Sequence, residues 1–212
     1  MSLWTSSVIA LVLLQTTQAQ AQEVNLDSKA TAVAEVAPSV KLPPRLDLVK
    51  RDWTLATAYV DVFKILSEQN SCSSFYGGPR AATMALNDLL RVVQSRQLLR
   101  ELSFQMGGKL TIIHDTVSGA TYRIFDRTFV NIQGSFYQRR WEPMRRLPAD
   151  VGSFSPGSRR ARALILLHEL GHLIEGPDGK WLLPDDGFDG QQSNANSLRV
   201  EKTCRVQLEA LN

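Results

Sequence analysis

Cysteine is scarce in this chain of 212 residues, which contains only Cys72 and Cys204. The two positions lack the close spacing of a structural zinc knuckle, which argues against a zinc site built from cysteines. In an exported chain, a single pair is typical of a disulfide. Such a bridge would close a loop of about 130 residues and restrain the unfolded chain by roughly 4–5 kcal/mol. We therefore predict a Cys72–Cys204 disulfide; two buried free thiols are the alternative if the chain is not exported.

Long apolar runs are also lacking. The run Val8–Leu14 is too short to span a bilayer comfortably, and no other segment could cross one. Polar residues follow this run, and then comes Ala19-Gln20-Ala21, an A-x-A cleavage signal. No Lys or Arg precedes the run, and a retained anchor or a buried strand is the alternative. We predict a signal peptide over residues 1–21 and a secreted or periplasmic protein with no other membrane contact.

No DNA- or RNA-binding signature is present. The formal net charge is only +3, and the arginine pairs at 139–140 and 145–146 are typical of a solvated surface. Apolar residues make up 43% of the chain and charged residues 21%, which is ordinary for a globular domain. We therefore expect a monomeric globular protein without a nucleic-acid partner.

The order of the patterns predicts an α+β fold. Residues 22–50 lack a consistent period and are interpreted as a flexible tether, and residues 51–212 as one domain. Apolar residues at helical spacing begin with Leu55 and Tyr59, and Pro79 suits the first position of a second helix. Three short β-rich runs follow closely, which favours a short antiparallel sheet. These runs are Lys109–Ile113, Tyr122–Phe125 and Thr128–Ile132.

The most informative stretch lies in an apolar helix predicted from Arg159 to about Glu175, with Ser155-Pro156 or Ser158 as its cap. Within it the sequence reads H-E-L-G-H. Residues four apart lie on one helix face, so His168 and His172 present two imidazoles to the same point, as in half of a tetrahedral zinc site. Two core histidines on a buried helix are the alternative, which would bury polar rings among leucines with no evident partner.

This motif resembles the zincin metallopeptidases, in which the two histidines bind zinc and the glutamate is the general base. The resemblance implies that Glu169 takes a proton from a zinc-bound water and passes it to the leaving amine. A Pro-Asp, a Ser/Asn-rich stretch and a helix with Cys204 follow the motif, as in small bacterial secreted proteins that carry HELGH. The implied activity is a secreted zinc hydrolase acting on peptides or proteins. A non-catalytic, metal-stabilised structural or binding domain is the alternative.

The third zinc ligand is the open question of the sequence. His114 is the only other histidine and lies on a β-rich run, so a carboxylate is expected. We rank Asp185 first, followed by Asp178, Asp186 and Glu201. Asp178 has the spacing of metzincin-type sites, and Glu201 has the place of a gluzincin-type ligand on a following helix. Hydrolysis also needs an oxyanion partner, for which Tyr122, Tyr137 and His114 are candidates.

Overall fold

The computed structural model describes residues 52–98, 103–138, 150–186 and 190–212. The predicted signal peptide, the tether and both arginine pairs lie outside these residues. The described residues form an α+β fold of five helices and one three-stranded sheet, as predicted. The helices are α1 (Trp53–Ser67), α2 (Ser71–Phe75), α3 (Pro79–Arg91), α4 (Arg159–Gly171) and α5 (Gln191–Glu209). The strands are β1 (Val93–Arg96), β2 (Phe104–His114) and β3 (Thr121–Asn131).

Helices α1, α2 and α3 each begin at a residue typical of a helix N-terminus. Asp52 caps α1 by accepting a hydrogen bond from the Leu55 backbone N–H over 3.0 Å. Asn70 and Ser73 form a reciprocal capping box at the start of α2. Helix α3 begins at Pro79, as predicted, because a proline at this position loses no intrahelical hydrogen bond.

The sheet differs from the purely antiparallel prediction. Strands β2 and β3 pair antiparallel, but β1 pairs parallel with the opposite edge of β3, so the sheet is mixed with the order β1-β3-β2. The sequence of β1, Val93-Gln94-Ser95-Arg96, lacks the apolar alternation that would predict a strand. Strand β3 is also continuous over eleven residues, where two separate runs were expected.

Helix α4 carries the H-E-L-G-H motif and ends four residues earlier than predicted. Ser158 caps it, accepting a hydrogen bond from the Ala161 N–H over 3.1 Å. The chain then runs beside β3, where the Leu173 carbonyl accepts from the Arg123 N–H over 2.8 Å. The Glu175 N–H donates to the Thr121 carbonyl over 3.0 Å. These bonds to the sheet take the place of the last helical turn.

Helix α5 packs against α4 and against the short α2. A disulfide joins Cys72 of α2 to Cys204 of α5, which confirms the predicted pairing. Completely buried leucines from α1, α3 and α4 form the centre of the core, among them Leu66, Leu86, Leu164 and Leu167. No helix within the described ranges combines the length and hydropathy that a membrane span requires.

Candidate metal centre

His168 and His172 lie on one face at the C-terminal end of α4, as the four-residue spacing predicts. Both side chains are buried, at 4% and 5% relative exposure. Their Nε2 atoms face one another at 3.0 Å, and the ring planes are steeply inclined with centroids 4.9 Å apart. If both Nε2 atoms were unprotonated, their lone pairs would repel each other at this distance. A proton or a metal ion between them relieves this repulsion.

Asp186 supplies the third converging group. Its Oδ2 lies 3.0 Å from His168 Nε2, and its Oδ1 lies 3.2 Å from His172 Nε2. The three side chains form a group whose ligand atoms all lie within 4.8 Å of one another. One carboxylate therefore contacts both imidazoles, and the three residues could hold a metal ion.

The separations of these atoms are comparable with those between neighbouring ligands of a bound metal ion. Ligands at about 2.0–2.1 Å from zinc would lie about 3.3 Å from one another in a regular tetrahedron. The observed contacts of 3.0–3.2 Å, in which each imidazole meets a different oxygen of Asp186, are slightly shorter, so an outward adjustment of the side chains would admit the ion. Two imidazoles and a carboxylate also leave a fourth position for water or substrate, the arrangement of catalytic rather than structural zinc sites.

The ranking of carboxylates from the sequence needs correction. Asp185, ranked first, is not brought to the histidines: its side chain is 89% exposed, with Oδ1 3.4 Å from Arg123 Nη2. Asp178 lies in an exposed turn, where Oδ1 accepts from the Lys180 N–H over 3.2 Å. Asp185 and Asp186 thus meet different partners although they are adjacent in sequence. Asp189 lies outside the described residues.

Glu201, the remaining candidate, is buried but belongs to a different contact. Its Oε2 accepts from the Ser153 N–H over 2.9 Å, and its Oε1 accepts from the Ser153 hydroxyl. Gly152 has a φ of +57°, and a Cβ there would lie 2.2 Å from Glu201 Oε2. The carboxylate thus holds the 151–154 turn against α5.

Two buried residues of α5 form hydrogen bonds that orient His168 and Asp186. Ser197 Oγ lies 2.9 Å from His168 Nδ1, so a histidine with Nε2 directed at the site donates its Nδ1–H to this hydroxyl. Asn196 donates from Nδ2 to Asp186 Oδ1 and to the Pro184 carbonyl, each over 2.8 Å. Asn196 thereby fixes both the carboxylate and the backbone that carries it. Neither residue stood out in the sequence, since a Ser/Asn-rich stretch has no distinctive spacing.

Gly171 allows the segment before Asp186 to approach the helix. The Leu183 N–H donates to the Gly171 carbonyl over 3.0 Å. A Cβ on residue 171 would lie 2.5 Å from Leu183 Cδ1 and 2.6 Å from its Cγ. The glycine in the motif is therefore a packing requirement of the site.

The second ring nitrogen of His172 is buried without a well-formed hydrogen bond. No acceptor in the described part of the chain satisfies Nδ1 geometrically. The backbone carbonyl of Leu183 contributes to the raised pKa of the His172 imidazole. A neutral His172 that binds a metal through Nε2 would direct its Nδ1–H toward this carbonyl, the usual arrangement for a ligand histidine.

Charge is unevenly shared within the cluster. Burial opposes ionisation of Asp186, yet hydrogen bonds from His168 and His172 hold its pKa well below the ordinary value. Burial also lowers the pKa of His172, but the carboxylates of Asp186 and Glu169 outweigh this effect and raise it. The site therefore favours a carboxylate anion balanced by positive charge between the imidazoles.

Glu169 lies beside the cluster rather than in it. Burial raises the pKa of its carboxyl group, the nearby His168 and His172 act in the opposite direction, and Asp186 adds to the increase. No hydrogen bond or ion pair engages the carboxylate among the described residues. It is therefore available to exchange a proton with a molecule at the site.

The three candidates for an oxyanion partner make contacts with other residues. The Tyr122 hydroxyl donates to Asp88 Oδ2 over 3.0 Å, and the Tyr137 hydroxyl donates to Asp52. His114 lies exposed at the end of β2, with Nδ1 3.0 Å from Thr121 Oγ1. None of these contacts involves the three converging ligands.

Comparison of the chain with protein-family models, curated protein sequences and solved structures finds no significant match.

Proposed function

We propose that the protein is a zinc-dependent hydrolase, with peptide bonds as its substrate class. The observation that carries this proposal is the convergence of His168, His172 and Asp186 next to the unengaged carboxylate of Glu169. A cluster of two imidazoles and one carboxylate is the ligand set of many hydrolytic zinc sites. An adjacent carboxylate that is not a ligand supplies the proton transfer that hydrolysis needs.

The chain's own residues divide the work as follows. His168, His172 and Asp186 would hold the ion, while Ser197 and Asn196 keep His168 and Asp186 oriented. A zinc ion bound there would act as a Lewis acid and lower the pKa of a water molecule to about 7. Glu169 would accept a proton from the attacking water and return it to the leaving amine. Its raised pKa makes the carboxylate a stronger base toward the attacking water, and the proton that it gains is then available to the leaving amine.

The same ligand set also occurs in non-haem iron sites, so the metal must be identified directly. One feature favours zinc: the adjacent Glu169, a carboxylate outside the ligand set that has no role in holding iron. Elemental analysis of the purified protein should find about one zinc per chain and little iron. His168→Ala should remove the zinc.

Export is part of the proposal. The Cys72–Cys204 disulfide supports it, because such bridges persist mainly in oxidising compartments. The A-x-A signal at Ala19-Gln20-Ala21 gives a direct test. The amino terminus of protein recovered from the exported fraction should begin at Gln22.

A non-catalytic, metal-stabilised binding domain is the second candidate. It is favoured by the absence of Tyr122, Tyr137 and His114 from the described ligand cluster, because a hydrolase needs an electrophilic partner for the oxyanion. In that case the ion would add stability but promote no reaction.

Glu169→Gln separates the two candidates. For the hydrolase, the variant should bind zinc normally and lose at least about 100-fold in kcat on a library of internally quenched peptides. Glu175→Gln, six residues further along, is the matched control and should keep both properties. A zinc-loaded wild-type protein that cleaves no peptide, with Glu169→Gln indistinguishable from it, would favour the binding domain. A wild-type protein without zinc would contradict both.

A further inference from the structure

Arg123 of β3 lies among the segments that supply the metal ligands. Its side chain is only 14% exposed, although that of Arg127 on the same strand is 68% exposed. Its Nε donates to the carbonyl of His172 over 2.8 Å, and its Nη2 lies 3.4 Å from Asp185 Oδ1. The guanidinium carbon also lies 4.3 Å from the centre of the Trp181 ring.

These contacts connect both sources of ligands to the sheet. The His172 carbonyl belongs to a ligand residue, and Trp181 and Asp185 lie at the two ends of the segment that leads to Asp186. The middle of this segment is held by other bonds, from Leu183 to Gly171 and from Asn196 to Pro184. Arg123 is thus the described side chain that contacts the His172 backbone and both ends of the segment.

The chemistry of the guanidinium suits this task. It is planar, so it can stack on Trp181 while its edge donates hydrogen bonds in a fixed direction. A lysine ammonium is a compact charge without that edge. The contact with the exposed Asp185 contributes little energy by itself, so the His172 carbonyl and the Trp181 ring provide most of the hold.

We propose that Arg123 is a positioning residue for the metal centre, fixing His172 and the Asp186 segment at the separation that binds the ion. This inference rests on the proposed metal function of the three ligands. Arg123 itself contacts neither the ligand atoms nor the substrate. Its effect should therefore appear in metal affinity and ligand geometry, and it should not be reproduced by another cation at the same position.

The test compares Arg123→Gln, Arg123→Lys and the control Arg127→Gln, which removes a charge from the same strand. Zinc affinity is measured by chelator competition, well below each variant's unfolding temperature, with the fold checked by circular dichroism. Both Arg123 variants should bind zinc about 10–100-fold more weakly than wild type, and Arg127→Gln within twofold of it. Substituted cobalt should show an altered visible spectrum only in the Arg123 variants.

The possible outcomes are distinguishable. Wild-type affinity and an unaltered cobalt spectrum in both Arg123 variants would overturn the inference and leave the metal site intact. A wild-type chain that binds neither zinc nor cobalt would overturn the proposed function and the inference with it. If Arg123→Gln does not fold, Trp181→Leu takes its place, since it removes the stacking surface without touching His172. It should weaken zinc binding at least threefold, and unchanged binding would overturn the inference.

Discussion

The two halves of helix α5 bury polar side chains for different purposes. In residues 191–199, Asn196 contacts Asp186 and Ser197 contacts His168. The side chains of Asp186 and His168 belong to the candidate metal centre. In residues 200–209, Glu201 accepts from the two donors of Ser153, and Cys204 is bonded to Cys72. A buried carboxylate is therefore not by itself evidence of a metal site. The partners decide: Glu201 accepts from the donors of Ser153, whereas Asp186, besides accepting from Asn196, faces two imidazole nitrogens that can bind an ion.

The largest expected effect on stability comes from the C-terminal half of helix α5. Replacing both cysteines with alanine should lower the free energy of unfolding by about 4 kcal/mol, because the bridge spans 132 residues. Urea unfolding of the chelator-treated protein measures this loss. Zinc affinity of the folded variant should stay within about threefold of wild type. A much larger fall in zinc affinity would mean that the disulfide also sets the geometry of the N-terminal half of α5.

Glu201→Gln should lower the free energy of unfolding by about 2 kcal/mol, since it replaces a charged acceptor of two hydrogen bonds in a buried position. Glu209→Gln, an exposed position at the end of the same helix, is the control and should change stability by less than about 0.5 kcal/mol. Zinc binding should be unaffected by either change. Loss of zinc from Glu201→Gln would contradict the separate roles of the two halves of α5.

Gly171→Ala tests the approach of the segment that carries Asp186. The added methyl would overlap Leu183, so we expect a loss of about 1–2 kcal/mol in stability together with weaker zinc binding. Gly107→Ala is the matched control, because a Cβ there meets no atom within 4 Å. Combining Gly171→Ala with Leu183→Ala should cost less than the sum of the two changes. Full additivity would show that the overlap is not the cause.

The smallest expected effect on stability is that of Ser197→Ala, about 1 kcal/mol or less. Its effect on the ion should nevertheless be clear, with zinc binding weakened about tenfold through loss of the hydroxyl at His168 Nδ1. Ser193→Ala, one turn earlier on α5, should leave affinity unchanged. Equal affinities in the two variants would contradict the orienting role of Ser197.

The sequence was sufficient to predict those parts of the site that follow from helix geometry. His168 and His172 share a face because they are four residues apart on α4. The α+β order and the single disulfide were likewise predictable. These features depend on local periodicity and residue count, which tertiary contacts did not override.

The choice among carboxylates could not be made in this way. Asp185 and Asp186 are neighbours with the same chemistry, and their orientations depend on Leu183 packing on Gly171 and on Asn196 binding Pro184. Strand β1 was missed for a related reason: its polar sequence becomes a strand only because β3 offers an edge. Arg123 has no local signal either, since its role depends on three segments that meet in the fold.

His168, His172 and Asp186 are the residues that could hold an ion, and we propose that Asp186 rather than Asp185 is the third ligand. Zinc affinities of wild type, Asp186→Asn and Asp185→Asn, measured side by side by chelator competition, test it most directly. We predict one zinc per wild-type chain, a loss of at least about 100-fold in affinity for Asp186→Asn, and a change within about threefold for Asp185→Asn. Equal affinities for the two variants, or a greater loss from Asp185→Asn, would contradict the account.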